Sequence, residues 1–364
     1  MRQIPLAGYT CIEHGTSGML PCAWPECENG IKESEFESVL NGDIKRVYVR
    51  KKWSSPDGDY YSWDNLELPH WFSVSDVFWA EARRQGLVST TFPKIVYHYT
   101  SLEGLIAIIK TKSVWMTDFG YLNDRQEMSY GFNILTKSIE KILDDNMPSG
   151  VENLLTSWKN KIKEGPDRVC IASFSADGDS LSQWRAYGPV ALGFSVQSLL
   201  LHVEDGKFQN VEYNPEIQEK LILTYLRHSI NAYESDLEEG RLDKNPDLYH
   251  ENDRLLDLVT FFKNPAFESE NEYRLAYINV PKVLDAFDLS TPPKSFRVSN
   301  GKIVPYVPST DITLSGIDKS LLTITEIVIG PENDELLKQG IQELLTYHGL
   351  DNVEIKSSLV PLRA

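Results

Sequence analysis

At 364 residues the chain is long enough for one large domain or two ordinary ones, each with a sizeable core. Hydrophobic residues make up 41% and charged residues 24%, which excludes a disordered chain, and no long apolar run offers a membrane span. A net charge of −17 repels phosphate backbones and disfavours indiscriminate nucleic-acid binding.

The N-terminal MRQIPLAGYTCIEHG has no secretory apolar core, so the chain reads as cytoplasmic. Three of the four cysteines fall within CIEHGTSGMLPCAWPEC, and the fourth, Cys170, sits in an apolar stretch. An odd cluster at such an address argues against a disulfide framework. Cys11 and His14 are separated by two residues, His14 and Cys22 by seven, Cys22 and Cys27 by four. Thiolates with one imidazole suit tetrahedral zinc, and Gly15, Gly18, Pro21, Pro25 and Gly30 supply the turns that converge such ligands. The stretch holds too few apolar residues to fold without a staple. Residues 1–35 are therefore expected to form a structural zinc knuckle on Cys11, His14, Cys22 and Cys27; the alternative is an acidic leader with chance cysteines.

Residues 36–90 read as a small strand-and-helix region. IKRVYVRKKW and YYSWDNL are strands on either side of a turn at Asp57-Gly58, and Ser73 to Gly86 is a helix. Lys45 to Trp53 is basic with interleaved aromatics, either a nucleic-acid contact or an edge strand blunted by lysines. From residue 91 the main domain begins. KIVYHYT is a strand, followed by a helix with Thr100 and Glu103 as a capping box and Leu102, Leu105, Ile106 and Ile109 as its apolar side. SVWMTD is a strand, and helices follow over Gln126 to Leu143 and Val151 to Ile162. RVCIASFS and VALGFSV are strands flanking a loop and short helix, and long helices span Pro215 to Ser235 and Asp247 to Lys263. NEYRLAYINV is a strand, FRVSNGKIVPYV a hairpin turning at Asn300-Gly301, ITEIVIG a strand, NDELLKQGIQELLTYHG a helix and NVEIKSS a last strand. Strands and helices mix without regular alternation, so the expected class is α+β: a mixed or antiparallel sheet with several helices, preceded by the metal module.

Several segments together resemble the bacterial domain-of-unknown-function family 2971. They are YHYTSLEGLIAIIKTKSVWMTD with YLNDRQE, CIASFS with DSLSQWRAYG and ALGFS, FFKNPAFESENEYRL, EIVIGP and SSLVPLR, and the likeness runs from about Phe92 to the C-terminus. VYHYTSLEGLIAIIKTKSVWMTD is also similar to the opening of ADP-ribosyltransferase folds, among them the bacterial DarT-like toxins that modify DNA. That resemblance implies NAD as substrate. It gives the histidine that closes the first strand, His98 here, a place on a ribose of NAD, and it has a later strand, within FESENEYRL, deliver a catalytic glutamate. It also implies a setting in bacterial conflict, as a toxin or in phage defence. The chain departs from the pattern in lacking a clean Ser-Thr-Ser middle motif and an evident nucleophile-orienting tyrosine.

Breaking the bond between nicotinamide and ribose develops positive charge on the sugar. A carboxylate facing that charge stabilises the transition state more than the ground state, and it can take a proton from the attacking group. Glu270, Glu272 and Arg274 lie two apart and share a face if the strand begins early enough. They form either a site in which Arg274 orients a carboxylate or the solvated side of an edge strand. In SFSADGDSLSQWRAYG, Ser180 can cap a short helix whose first amides hold a phosphate or sugar oxygen, and Arg185 can pair with pyrophosphate. Trp184 with Tyr187 is a stacking wall or core. Asn123 and Asp124 read as a helix cap with Glu127 in the first turn. Alternation with Tyr97 and Tyr99 makes His98 a core residue; the resemblance makes it a ligand group.

The expected constellation is Glu272 and Glu270 as catalytic groups, with His98, Tyr99, Thr100, Ser175, Arg185 and Arg274 around NAD. Two functions stand side by side. One is an ADP-ribosyltransferase-like enzyme that cleaves NAD and modifies a protein or nucleic-acid target, which the zinc module helps recognise. The other is a non-enzymatic ligand-sensing or binding domain that keeps the fold without turnover. No Walker motif or dinucleotide fingerprint is present.

Overall fold

A computed structural model of the chain describes residues 46–55, 58–67, 85–88, 92–122, 126–143, 147–164, 169–196, 206–238, 258–278, 295–299, 301–309, 324–331 and 335–361, with isolated residues and residue pairs elsewhere. The chain folds as two compact units, each drawn from separate stretches: 1–90, 132–165 and 216–259 in one, 91–131, 166–215 and 260–364 in the other.

In the first unit, β1 (Arg46–Ser55) and β2 (Gly58–Glu67) form an antiparallel hairpin closing at Ser55 opposite Gly58, where Asp57-Gly58 signalled a turn. The basic stretch Lys45 to Trp53 falls largely on β1, whose side chains are not among those described. Helices α2 (Gln126–Leu143, from residue 132 on), α3 (Ser149–Glu164) and α5 (Pro215–Glu238) also belong to it. Leu135 and Ile139, Leu154, Leu155 and Trp158, and Leu221, Ile222, Tyr225 and Leu226 are buried, each set at helical spacing. At the rim, Lys159 pairs with Glu140 and Lys141 with Glu219 at 3.1 Å.

The second unit is built on a ten-stranded sheet. In chain order its strands are β3 (Ile95–Thr100), β4 (Trp115–Asp118), β5 (Val169–Ser175), β6 (Val190–Ser195), β7 (Gly206–Asn210), β8 (Glu272–Ile278), β9 (Ser295–Ser299), β10 (Lys302–Pro308), β11 (Ile324–Ile329) and β12 (Glu354–Ser357). They run in the order β9-β10-β4-β5-β3-β6-β11-β12, with β8 also on β5 and β7 on β8. All pairs are antiparallel except β11–β12, so the sheet is mixed and the α+β expectation holds. One face is closed by α1 (Leu102–Thr111) through Leu105, Ile108 and Ile109, and by α6 (Glu335–Tyr347) through Ile341 and Leu345. Against them lie Val96, Met116, Phe174, Leu192, Phe194, Tyr273, Leu275 and Ile327.

Three local expectations change. Ser101 rather than Thr100 caps α1, its hydroxyl accepting from Gly104 N at 3.2 Å, while the Thr100 side chain lies where a Cβ on Gly104 would be. Ile108 is buried and Ile106 exposed, because the apolar stripe steps i, i+3, i+4 from Leu105 and Ile106 lies about 100° off it. The helical residues end at Val259, followed by a turn and by Phe262 bridging Glu212, and Lys263 lies just beyond the bridge. Among the described residues no helix is long and apolar enough to cross a membrane.

Candidate functional site

Strand β5 sits at a junction. One edge is fully paired to β8, from Glu272 opposite Ser175 to Ile278 opposite Val169. The other edge is divided: β4 takes Ile171 and Cys170, and β3 takes Ser175. Both faces of β5 are otherwise buried, yet Ser173, between these attachments, is partly exposed. Residues paired across antiparallel strands share a face. Tyr97, Ser175 and Glu272 therefore stand in one row, with Ser173 and Arg274 in the next. The same face is covered at one end by Tyr99, Trp184, Ala191 and Val328 and at the other by Phe119, Ile171, Phe261 and Ala276.

Glu272 anchors this face. Arg274 grips it bidentately, Nε to Oε1 at 2.8 Å and Nη2 to Oε2 at 3.0 Å, and Nη1 donates to Thr260 O at 2.7 Å. Lys263 Nζ reaches Glu272 Oε2 at 2.9 Å and Glu270 Oε2 at 2.6 Å. Ser173, opposite Arg274 on the paired strand, adds to the influences that keep the Glu272 carboxylate ionised. Burial alone would push Glu272 up, but the Arg274 charge and hydrogen bonds, then Lys263 and Ser173, hold it down at about 2. A carboxylate so low is a poor proton acceptor near neutrality, where a general base works best with a matching pKa. What it does is anchor the Arg274 and Lys263 cations beside the partly exposed Ser173.

Beyond β4 the same face carries a second group. Thr117 pairs with Ile171 on one side and with Tyr306 on the other. Trp115 and Tyr306 stack with centroids 4.6 Å apart. The Arg297 guanidinium lies 5.5 Å over Trp115 and 5.8 Å over Tyr306, and its Nη2 donates to Thr117 Oγ1 at 2.7 Å. Among the described residues Arg297 has no carboxylate partner, and burial lowers its pKa.

His98 lies on the opposite face from Glu272. It pairs with Leu192 of the main core, and its ring sits 5.6 Å from Phe174. Its Nδ1 donates to Ser173 O at 2.8 Å, filling the interval that β3 and β4 leave on the edge of β5. Burial lowers its pKa against the opposing effect of that carbonyl, so the ring is neutral, with Nε2 as its acceptor nitrogen.

The other expected site residues are placed as follows. Arg274 is buried with Glu272, and Glu270 ends a 3-10 turn (Pro265–Glu270) rather than opening the strand, though Lys263 joins it to Glu272. The Ser175 hydroxyl donates to Glu270 O at 2.8 Å and accepts from Asp177 N at 3.1 Å. Tyr99 donates to Asp177 O at 2.7 Å and accepts Ser180 N at 2.9 Å, latching the loop before α4 (Leu181–Tyr187); burial raises its pKa. Trp184 is core, edge-on to Tyr99, with Nε1 donating to Asp179 Oδ1 at 2.9 Å, whereas Arg185 and Tyr187 are exposed. Asp179 also accepts from Leu359 N at 2.7 Å and from Ser358, tying down the chain after β12. Cys11, His14, Cys22 and Cys27, together with Asn123, Asp124 and the Glu127 side chain, lie outside the described residues; among the described residues no cluster fit to hold a metal occurs. Ser173, Lys263 and Arg297 were not singled out by sequence. The signal for Arg297 was an inverted alternation: Phe296 and Val298 point outward while Arg297 between them points in.

The model of a family described as "Protein of unknown function (DUF2971)" matches residues 183–275, a stretch similar to that family from within α4 through Leu275 of β8. No curated protein matches the chain, and no solved structure does.

Proposed function

We propose that the sheet face around Ser173 binds a small molecule and that the chain is a ligand-sensing or binding domain. The observation carrying this reading is the arrangement at Glu272: its carboxylate is engaged by Arg274 and Lys263 behind the partly exposed Ser173, instead of offering itself to a reacting atom. Ser173, Tyr97, Trp115, Tyr306 and Arg297 are each partly exposed on that face and mix aromatic area with a few fixed polar groups, as ligand sites do. The test is a thermal-shift screen of purified full-length chain against a chemically varied small-molecule panel, repeated with Ser173→Phe. Stabilisation lost in a folded Ser173→Phe variant supports the reading; stabilisation by the same compounds in both proteins refutes it.

A second reading, NAD cleavage with ADP-ribose transfer to a protein or nucleic acid, draws on the ionised state of Glu272, since an oxocarbenium-like transition state needs a negative partner. It requires Glu272 to come away from Arg274 and Lys263, and His98 acts in it only from the far face of the sheet. NAD consumption abolished by Glu272→Gln in a folded protein supports it; no consumption by wild type with any target fraction counts against it. Structural zinc on Cys11, His14, Cys22 and Cys27 belongs to both readings. Elemental analysis of the full chain should give about one zinc, falling towards none in Cys22→Ser.

A further inference from the structure

Resting on the ligand-binding reading, we propose that Arg297 and Thr117 form the oxyanion end of that site, and that its ligand is a phosphate monoester carrying a flat ring. A half-buried guanidinium without a carboxylate is costly to keep, and Arg297 is in that position among the described residues. Trp115 and Tyr306 lie within cation–π distance of the guanidinium and accept none of its N–H hydrogen bonds, which leaves those groups for an oxygen acceptor. Thr117 Oγ1 already accepts from Arg297, so the Thr117 hydroxyl proton is left to donate. The pair is then all donor. Arg297 keeps N–H groups on Nε, Nη1 and Nη2 beyond the one spent on Thr117, and together with the Thr117 hydroxyl they match the three terminal oxygens of a phosphate ester.

The remaining parts select the rest of the molecule. Trp115 and Tyr306 are partly exposed beside the guanidinium and offer aromatic area to a flat substituent. Ser173 lies two residues along β5 from Ile171, the partner of Thr117, and its partly exposed hydroxyl oxygen has lone pairs to accept with. One end of the site donates and the other accepts, so a ligand with an oxyanion at one end and a hydroxyl or ring N–H at the other satisfies both. The net charge of −17 gives anions no long-range welcome, so capture depends on this local cation.

The experiment is isothermal titration of the full-length chain with phenyl phosphate, benzoate, phenol and inorganic phosphate, on wild type, Arg297→Met and Trp115→Leu, with circular dichroism to confirm folding. Phenyl phosphate should bind wild type at least tenfold more tightly than benzoate, phenol or inorganic phosphate. Arg297→Met should weaken phenyl phosphate by roughly 10–100-fold while leaving phenol unchanged. Trp115→Leu should weaken phenyl phosphate and phenol in parallel. Equal binding of phenyl phosphate by wild type and Arg297→Met overturns the assignment of the oxyanion end, and benzoate binding as well as phenyl phosphate overturns the choice of phosphate. If neutral compounds from the thermal-shift panel stabilise wild type but not Ser173→Phe while no probe senses Arg297, the ligand-binding reading stands and this inference falls. If neither the panel nor any probe binds, both fall.

Discussion

Replacing Glu272 with glutamine probes the centre of the sheet face. The substitution keeps the shape but removes the carboxylate that the buried Arg274, 1% exposed, and Lys263 both engage. Removing one partner of a buried ion pair costs about 3–5 kcal/mol, because the other charge stays buried without compensation. The pH dependence gives an independent figure. The carboxyl drops from 4.5 to about 2 in the folded protein, which corresponds to about 3 kcal/mol of stability. A depressed carboxylate stabilises above its unfolded pKa and loses that contribution as pH falls through the folded one, so the window runs from about pH 5 down to pH 2, with about 2 kcal/mol gone by pH 3. Glu272→Gln should therefore lower the thermal midpoint of the sheet unit by about 6–12 °C at pH 7, and the gap from wild type should narrow to roughly a third at pH 3. Arg274→Met in the Glu272→Gln background should recover part of the loss. A midpoint unchanged at pH 7, or a gap that does not narrow in acid, would show that the network is not holding the sheet.

The remaining predictions concern the supports of the site. Ser101→Ala removes the cap on Gly104 N and should cost about 1 kcal/mol, read by chemical denaturation. Gly188 has φ 137°, and a Cβ there would sit 2.5 Å from Thr100 O, so Gly188→Ala should cost about 2 kcal/mol or more and lower the thermal midpoint. Asp179→Ala releases Trp184 Nε1, Leu359 N and Ser358 together; amide exchange at Leu359 and Val360 should speed up by about tenfold or more, with exchange along β5 unchanged. In wild type the same release should begin in acid: burial pushes the Asp179 carboxyl up, but its hydrogen bonds outweigh that and leave it lowered, so its stabilisation is present above the ordinary aspartate range and fades as pH falls below it.

The strands themselves were legible because alternation and turn residues are local signals: Val96, His98 and the two tyrosines alternate as their spacing says, and Asn300-Gly301 separates β9 from β10. What paired with what was not. Glu272 and Arg274 share a face by simple spacing, but whether β8 is an edge strand depends on β7, whose GKFQN pairs along its outer edge. Glu270 fell out of the strand because Asn271 adopts φ 44° and breaks the extended run, a conformation asparagine tolerates. His98 and Glu272 belong to strands with no sequence signal of common register, so their placement on opposite faces came only with the pairing through Ser175.

The strand order also governs how the chain comes off the ribosome. β6 is buried on both faces and lies between β3, already made, and β11, which is synthesised about 130 residues later. At roughly 5–20 residues per second that interval is on the order of ten seconds. Throughout it the nascent sheet ends in Val-Ala-Leu-Gly-Phe-Ser with a whole row of amides and carbonyls unpaired, the kind of edge that recruits a neighbouring chain. Folding yield in a crowded translation system should therefore fall when that apolar edge is left unshielded before Ile324–Ile329 arrives to close it.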